Sequence, residues 1–275
     1  MYEEILYEVD GPSAVITLNR PAQLNAWTDR MHDEVRHAIA AAEDDTAVVG
    51  IILTGAGRAF CAGADMGNLQ AISDGERLGS ESVLDADPGD ADIGYGYRDT
   101  YNYLASVRKP VIAAINGACA GMAVPISLFC DMRFGSDKAM MMTAFAKRGL
   151  IAEWGSAWML PRMIGTGNAL DMLMSSRKVR ADELLRMGIL SRVVEGDGLL
   201  AQCKAYVQDL ADGCSPESLA VMKRQVYQQL QRPLEESTQD THKLMVESFK
   251  RPDFKEGVAS FVEKRPPRFA RIGKS

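Results

Sequence analysis

Two glycine-rich segments of this 275-residue chain have the residue types needed to hold a developing negative charge. The first, Gly55-Ala56-Gly57-Arg58-Ala59-Phe60-Cys61-Ala62-Gly63-Ala64-Asp65, directly follows a strand-like run at 48–54. The second, Asn116-Gly117-Ala118-Cys119-Ala120-Gly121-Met122, follows the β-branched run at 111–115. From Cys119 to Phe129 nearly every residue is apolar, which predicts a helix buried on all sides. A buried helix start leaves backbone N–H groups without intrahelical partners at the positive end of the helix dipole. Such groups can stabilise an oxyanion. Two segments of the same design suggest two N–H donors converging on one carbonyl oxygen.

The elements that would position these turns follow from periodicity. Residues 5–9 and 14–18 read as a hairpin closed by Gly11-Pro12. Thr28 is a good N-cap, with Asp29 in the first turn of a helix whose Met31, Val35, Ala38, Ile39 and Ala42 keep helical spacing. The acidic stretch 73–96 reads as a mobile cover beside the site or a surface insertion. Helices are expected at 98–107, 144–149, 156–163, 166–175 and 181–188, and strands at 132–135 and 191–194. Beyond Gly198 only helices are expected, at 199–212, 216–230, 233–249 and 254–264. The expected organisation is an α/β core over 1–195 followed by an all-helical region over 196–275.

A 47% hydrophobic composition suffices for a sizeable core. The net charge of −6 argues against a nucleic-acid partner. Three scattered histidines and five cysteines without a CxxC pair offer no metal site; reduced thiols in a cytoplasmic protein are expected. No leader is visible at the N-terminus, and no apolar run reaches membrane-spanning length. A dinucleotide fingerprint beginning Gly55-Ala56-Gly57 fails because Phe60 stands at its third glycine.

Four segments together resemble the crotonase superfamily, the enoyl-CoA hydratases and isomerases. They are Leu18-Asn19-Arg20-Pro21, Gly57 to Asp65, Lys109 to Gly117, and Phe261-Val262-Glu263-Lys264-Arg265, in matching order over nearly the whole chain. The resemblance implies a spiral of ββα units with a helical C-terminal trimerisation region, assembled as a homotrimer or a dimer of trimers. It implies an acyl-CoA substrate, with coenzyme A arriving as part of that substrate and no resident cofactor. By position, the thioester carbonyl would lie between the N–H groups of Ala64 and Met122, beside Gly121. Met122 departs from the family's usual glycine and should narrow the pocket. Gln23, Leu24, Ala26, Ala62, Asp65 and Met66 would contact coenzyme A. Lys264 would reach its phosphates, in some members from a neighbouring subunit; Arg20 and Arg58 are other candidates.

The acid–base residues depart from the hydratase pattern. The two positions where hydratases of this family carry glutamates hold Pro125 and Phe145, neither able to move a proton. One carboxylate remains nearby, Glu153, at a position where several isomerases of the family carry their single acid/base. A double-bond shift needs only one such group, acting as base and then as acid. Burial beside Trp154 and Trp158 would raise its pKa. A competing role for Glu153 is to cap the following helix near Ser156. Asp65 and Asp131 resemble structural positions of the family, and Asp92 of the acidic loop is a further candidate acid. Met122, Met140, Met141, Met142 and Phe145 suggest a pocket with an adaptable apolar lining. Expected readings are therefore an isomerase using Glu153, a hydratase or other crotonase reaction with an unplaced acid, or a non-catalytic acyl-CoA-binding protein.

Overall fold

The computed structural model describes residues 2–75 and 84–274. Its elements are β1 (Ile5–Asp10), β2 (Ser13–Leu18), α1 (Asp29–Asp44), β3 (Gly50–Gly55), β4 (Ala59–Cys61), α2 (Met66–Ser73), β5 (Val111–Ile115), β6 (Ala118–Ala120), α3 (Ala123–Leu128), β7 (Met132–Ser136), β8 (Met140–Met142), α4 (Ser156–Ser175), β9 (Val179–Arg180), α5 (Ala181–Met187), β10 (Arg192–Val194), α6 (Leu199–Gly213), α7 (Pro216–Gln229), α8 (Leu234–Ser248) and α9 (Pro252–Glu263).

The strands form two sheets, in the orders β1-β2-β3-β5-β7-β10 and β4-β6-β8-β9. In the first, only the β1–β2 hairpin is antiparallel. The chain alternates between the sheets. β3, β5 and β7 each enter the larger sheet, and β4, β6 and β8 follow in the smaller one before a helix, α2, α3 or α4. This is the expected spiral of ββα units. The short strands of the smaller sheet escaped the sequence reading. Ala118-Cys119-Ala120 was expected to lead into a helix; it is a strand because β4 and β8 supply partners on both sides, and α3 begins only at Ala123. A run of small apolar residues does not distinguish the two states; long-range pairing decides.

Side-chain alternation along the large sheet divides the core. Ile16, Ile51, Leu53, Val111 and Ala113 join Met31, Val35, Ala38, Ile39 and Ala42 of α1. Val15, Ile52, Ile112 and Phe134 point the other way, onto Leu199, Cys203 and Val207 of α6. Thr28 caps α1 by accepting from Met31 N–H at 3.0 Å, as expected. The stretch 156–175 is divided at Gly165 (φ 75°), which gives the two expected helical pieces. At 98–107 the expected helix is replaced by 3-10 turns, chiefly Asn102–Ala105. The tyrosines within it and just before it go to separate neighbours: Tyr97 to Tyr227, Tyr101 to Trp27 and Trp154, and Tyr103 beneath Arg36. One regular helix could not serve all three. The expected helix at 144–149 is a single 3-10 turn, Ala146–Arg148, ended by Gly149 at φ 70°.

Of the acidic stretch 73–96, residues 76–83 lie outside the described residues. Further along, Asp87 pairs with Arg36 and Arg98, Gly89 N–H donates to Glu43 at 2.7 Å, and Asp90 meets Arg224. These contacts tie 87–90 to α1, α7 and the 98–107 segment.

Two asparagines clamp the glycine turns together. Asn25 Nδ2 donates to the carbonyls of Ala56, Ala59 and Phe60, and Asn116 Nδ2 donates to those of Gly55, Gly57 and Ala59. The chains run so close that a Cβ on Gly117 would stand 2.1 Å from the Arg58 carbonyl oxygen. Gly117→Ala is expected to cost about 2–4 kcal/mol, because backbone and not a flexible side chain must yield. Equilibrium urea unfolding of the two proteins measures it.

Candidate active site

The clamped turns deliver Gly63 and Gly121 to one place. Gly63 (φ 106°) and Gly121 (φ 54°) both lie in the left-handed region, where glycine is unstrained. A Cβ on Gly63 would sit 3.1 Å from the Ala120 carbonyl oxygen, and one on Gly121 would sit 3.6 Å from the Gly63 Cα. The residues that follow them are Ala64 and Met122. Trp27 N–H donates to the Gly63 carbonyl at 2.8 Å and Asp65 N–H donates to the Trp27 carbonyl at 2.9 Å, so Ala64 is bracketed with its own N–H turned away from this ladder. Gly121 N–H donates to the Met142 carbonyl at 2.9 Å, leaving the Met122 N–H at the start of α3. Among the described residues, neither the Ala64 nor the Met122 N–H has an acceptor. That is the arrangement two oxyanion donors require.

Ala64 and Met122 both line a cavity of about 410 Å³. Gln23, Ala26, Ala62 and Gly63 line it from the early segments, with Ala64, Met66, Leu69 and Ile72 around the start and body of α2. Ala120, Gly121 and Met122 contribute the second turn, and the segment from Met142 to Trp154 adds Thr143, Ala144, Phe145, Arg148, Leu150 and Glu153. Of the expected pocket residues, Met122, Met142 and Phe145 are present. Met141 instead points into the core, on the opposite face of β8 from Met142, and Met140, on the same face as Met142 but at the start of the strand, is not part of the lining.

Three expected substrate contacts are not part of this cavity. Leu24 (φ 52°) turns the loop, and its carbonyl accepts from Ala62 N–H at 3.0 Å. Asp65 caps α2 by accepting from Gly67 N–H at 2.9 Å and pairs with Arg20 at 3.0 Å. Partial burial pushes the Asp65 carboxyl up, but the Gly67 N–H and the Arg20 guanidinium outweigh it and hold the carboxyl below its ordinary range. Arg20, bonded also to the Ala26 carbonyl and to Glu4, is a buttress of this loop. Lys264 ends α9 with φ 52° and is absent from the lining supplied by its own chain. Arg58 lines a different crevice, with Lys138 and Asp197.

Glu153 does line the cavity. Among the described residues its carboxylate has no hydrogen bond or ion pair, and burial raises its pKa above the ordinary value. It does not cap α4 with its side chain. Its carbonyl accepts from Ser156 N–H at 3.0 Å and Ser156 Oγ at 2.6 Å, and the cap position is Gly155. Trp154 shares the lining, whereas Trp158 lies under the Arg162 guanidinium and beside Tyr97. Pro125 is buried in the first turn of α3, where the missing N–H costs no helix bond, and Phe145 is buried at the cavity wall. Asp131 accepts from Val111 N–H at 2.7 Å and pairs with Lys223 at 2.7 Å, which gives it a structural occupation. Asp92 is exposed and away from the cavity. Glu153 is the only carboxylate in the lining among the described residues. The sequence reading missed Leu69, Ile72, Thr143, Ala144, Arg148 and Leu150 of the lining. The spacing of Met66, Leu69 and Ile72 on a short helix was the available signal.

The family model described as enoyl-CoA hydratase/isomerase matches residues 12–271. The chain belongs to that family. It is 35% identical over 268 residues to a protein from Rhodobacter capsulatus named "Probable enoyl-CoA hydratase", with 98% of each chain covered. It is 31% identical to the 1,2-epoxyphenylacetyl-CoA isomerase of Escherichia coli K12, covering 98% of this chain and 99% of that one. Among solved structures, an enoyl-CoA hydratase/isomerase from Mycobacterium paratuberculosis superposes with a TM-score of 0.84 at 29% identity, covering 98% and 99% of the two chains. An acyl-CoA substrate is consistent with this family.

Met122 has φ −63°, the value proline imposes, and its N–H has no acceptor to lose. Met122→Pro is therefore expected to remove the Met122 N–H from the cavity-lining turn while the fold survives, which tests that N–H as an oxyanion donor. A loss of about 10²- to 10³-fold in kcat, with an unchanged circular dichroism spectrum, is the expected outcome.

Proposed function

We propose that this protein shifts the double bond of an enoyl-CoA, with Glu153 as its single acid/base. The reading rests on one observation: two unpaired backbone donors and one unpaired carboxylate share a cavity whose remaining lining is largely apolar. Coenzyme A enters as part of the substrate. With the thioester oxygen between the Ala64 and Met122 N–H groups, removal of a proton from the adjacent carbon leaves an electron pair delocalised onto that oxygen. Each donor to the oxyanion is worth about 2.7–4 kcal/mol. Glu153 takes the proton from C2 of a 3-enoyl chain and returns it at C4, so the double bond moves to C2–C3 and the carboxylate is regenerated. Burial raises the Glu153 pKa, which strengthens it as the proton acceptor this step needs.

Hydration is the second reading, favoured by the names of relatives such as the Rhodobacter protein. It needs groups to hold and activate a water, and Pro125 and Phe145 occupy the places where hydratases of this kind carry glutamates. A non-catalytic acyl-CoA-binding protein is the third. The five cysteines are all free thiols, which supports a cytoplasmic setting.

Incubation with 3-enoyl-CoA in D₂O beside a Glu153→Gln variant separates these readings. Double-bond migration with deuterium uptake, lost by at least about 10²-fold in the variant, is expected. Hydration that survives the substitution would sink the isomerase reading. Because the base works deprotonated, kcat should fall as pH drops through a pKa above the ordinary carboxylate value of about 4.3.

The helical region beyond Gly198 supports an oligomeric reading. Met222, Val226, Leu234, Phe254, Val258 and Phe261 are exposed apolar side chains, and an apolar groove runs between α7 and α9. A homotrimer or dimer of trimers would cover these faces and allow Lys264 to serve a neighbour's coenzyme A. Lys264→Glu is accordingly expected to raise KM several-fold with little change in kcat. Multi-angle light scattering of the same variant should still report an oligomer.

A further inference from the structure

Glu153 and the Ala64 donor come from distant parts of the chain, yet a proton transfer beside a held carbonyl tolerates little error in their separation. Aromatic rings span the gap. Trp27 brackets Ala64 through its two backbone hydrogen bonds, and its indole is 4% exposed. Its ring meets Tyr101 edge-on, with centroids 5.9 Å apart and planes at 81°. Tyr101, 6% exposed, meets Trp154 edge-on at 5.1 Å and 85°. Trp154 is the residue after Glu153. His32 packs on Tyr101 at 5.4 Å and 90°, closing the ring against α1.

The turn bearing Glu153 is constrained from the other side as well. Trp154 (φ 51°) and Gly155 (φ 73°) are both left-handed, an uncommon state for a bulky residue that the surroundings must enforce. A Cβ on Gly155 would come within 2.9 Å of Phe129 Cζ, at the end of the helix that Met122 begins. The turn is thus gauged from Ala64 through Tyr101 and from Met122 through Phe129.

We propose that Tyr101 is a positioning residue, its ring serving as the spacer that sets the separation between the Glu153 carboxylate and the Ala64 donor. The proposal rests on the isomerase reading above. Removing the ring lets the Trp154 turn relax while the donors and the coenzyme A contacts stay in place. The loss then falls on kcat and not on KM.

The test compares the parent enzyme, Glu153→Gln, Tyr101→Phe, Tyr101→Leu and Trp154→Leu on 3-enoyl-CoA, with melting temperatures recorded for each. Tyr101→Leu is expected to lower kcat about 10- to 100-fold with KM within about threefold, and Tyr101→Phe to stay near the parent. Trp154→Leu, at a half-exposed position that spares the core, should lose a similar factor and stands in if Tyr101→Leu does not fold. The double variant should lose no more than the larger single loss, because both remove the same spacer. Parent-like kcat in Tyr101→Leu, or in Trp154→Leu where it stands in, would overturn the proposal; so would an equal loss in Tyr101→Phe or a loss carried by KM. Turnover that survives in Glu153→Gln would instead overturn the isomerase reading on which the proposal depends.

Discussion

The structure depends on two backbones passing each other with no side chain between them. A Cβ on Gly63 would crowd the Ala120 carbonyl oxygen at 3.1 Å and one on Gly121 would stand 3.6 Å from the Gly63 Cα, and the N–H groups of the residues that follow, Ala64 and Met122, have no acceptor among the described residues. The asparagine clamps, the Gly117 crossing and the alternation of strands between two sheets all hold that approach. Because the Ala64 and Met122 N–H groups are main-chain groups, their direction is set by the fold and not by a rotamer, so an acceptor bound between them would cost no side-chain entropy there.

Charge is treated differently in the frame and in the cavity. Glu34 accepts from the N–H groups of Glu3, Glu4 and Ile5, Glu43 from Gly89 and Arg108, and Asp131 from Val111 beside Lys223. Lys109, almost fully buried, donates to the carbonyls of Ala42 and Asp45, and burial brings its pKa down to about 8. Buried charge in the frame is thus paid for by partners. Glu153 is left without one, and that isolation raises its proton affinity.

Much of this was legible in the chain. Strands and helices with strong periodicity, the Thr28 cap, the C-terminal helices and the two glycine turns were read where they lie. Glu153, singled out by resemblance, lies in the cavity lining. What escaped depends on partners remote in sequence. The strands of the smaller sheet are only two or three residues long and carry no periodicity of their own. The 98–107 segment has helical composition, but Tyr101 is claimed by Trp27 and Trp154 and Tyr103 by Arg36. The bonds of Asp65 to Gly67 and Arg20, and of the Leu24 carbonyl to Ala62, are likewise made to partners that the motif alone does not name.

Helix α2 carries a thermodynamic consequence. None of its residues is buried, although Met66, Leu69 and Ile72 all face the cavity, with Met66 66% and Ile72 57% exposed. The helix is therefore held by its Asp65 cap and short-range bonds, with little of the apolar burial that stabilises most helices. An apolar occupant of the cavity would supply that burial. Its binding would carry a negative heat-capacity change larger than the ligand's own surface implies, and any ordering of α2 would be subtracted from its affinity.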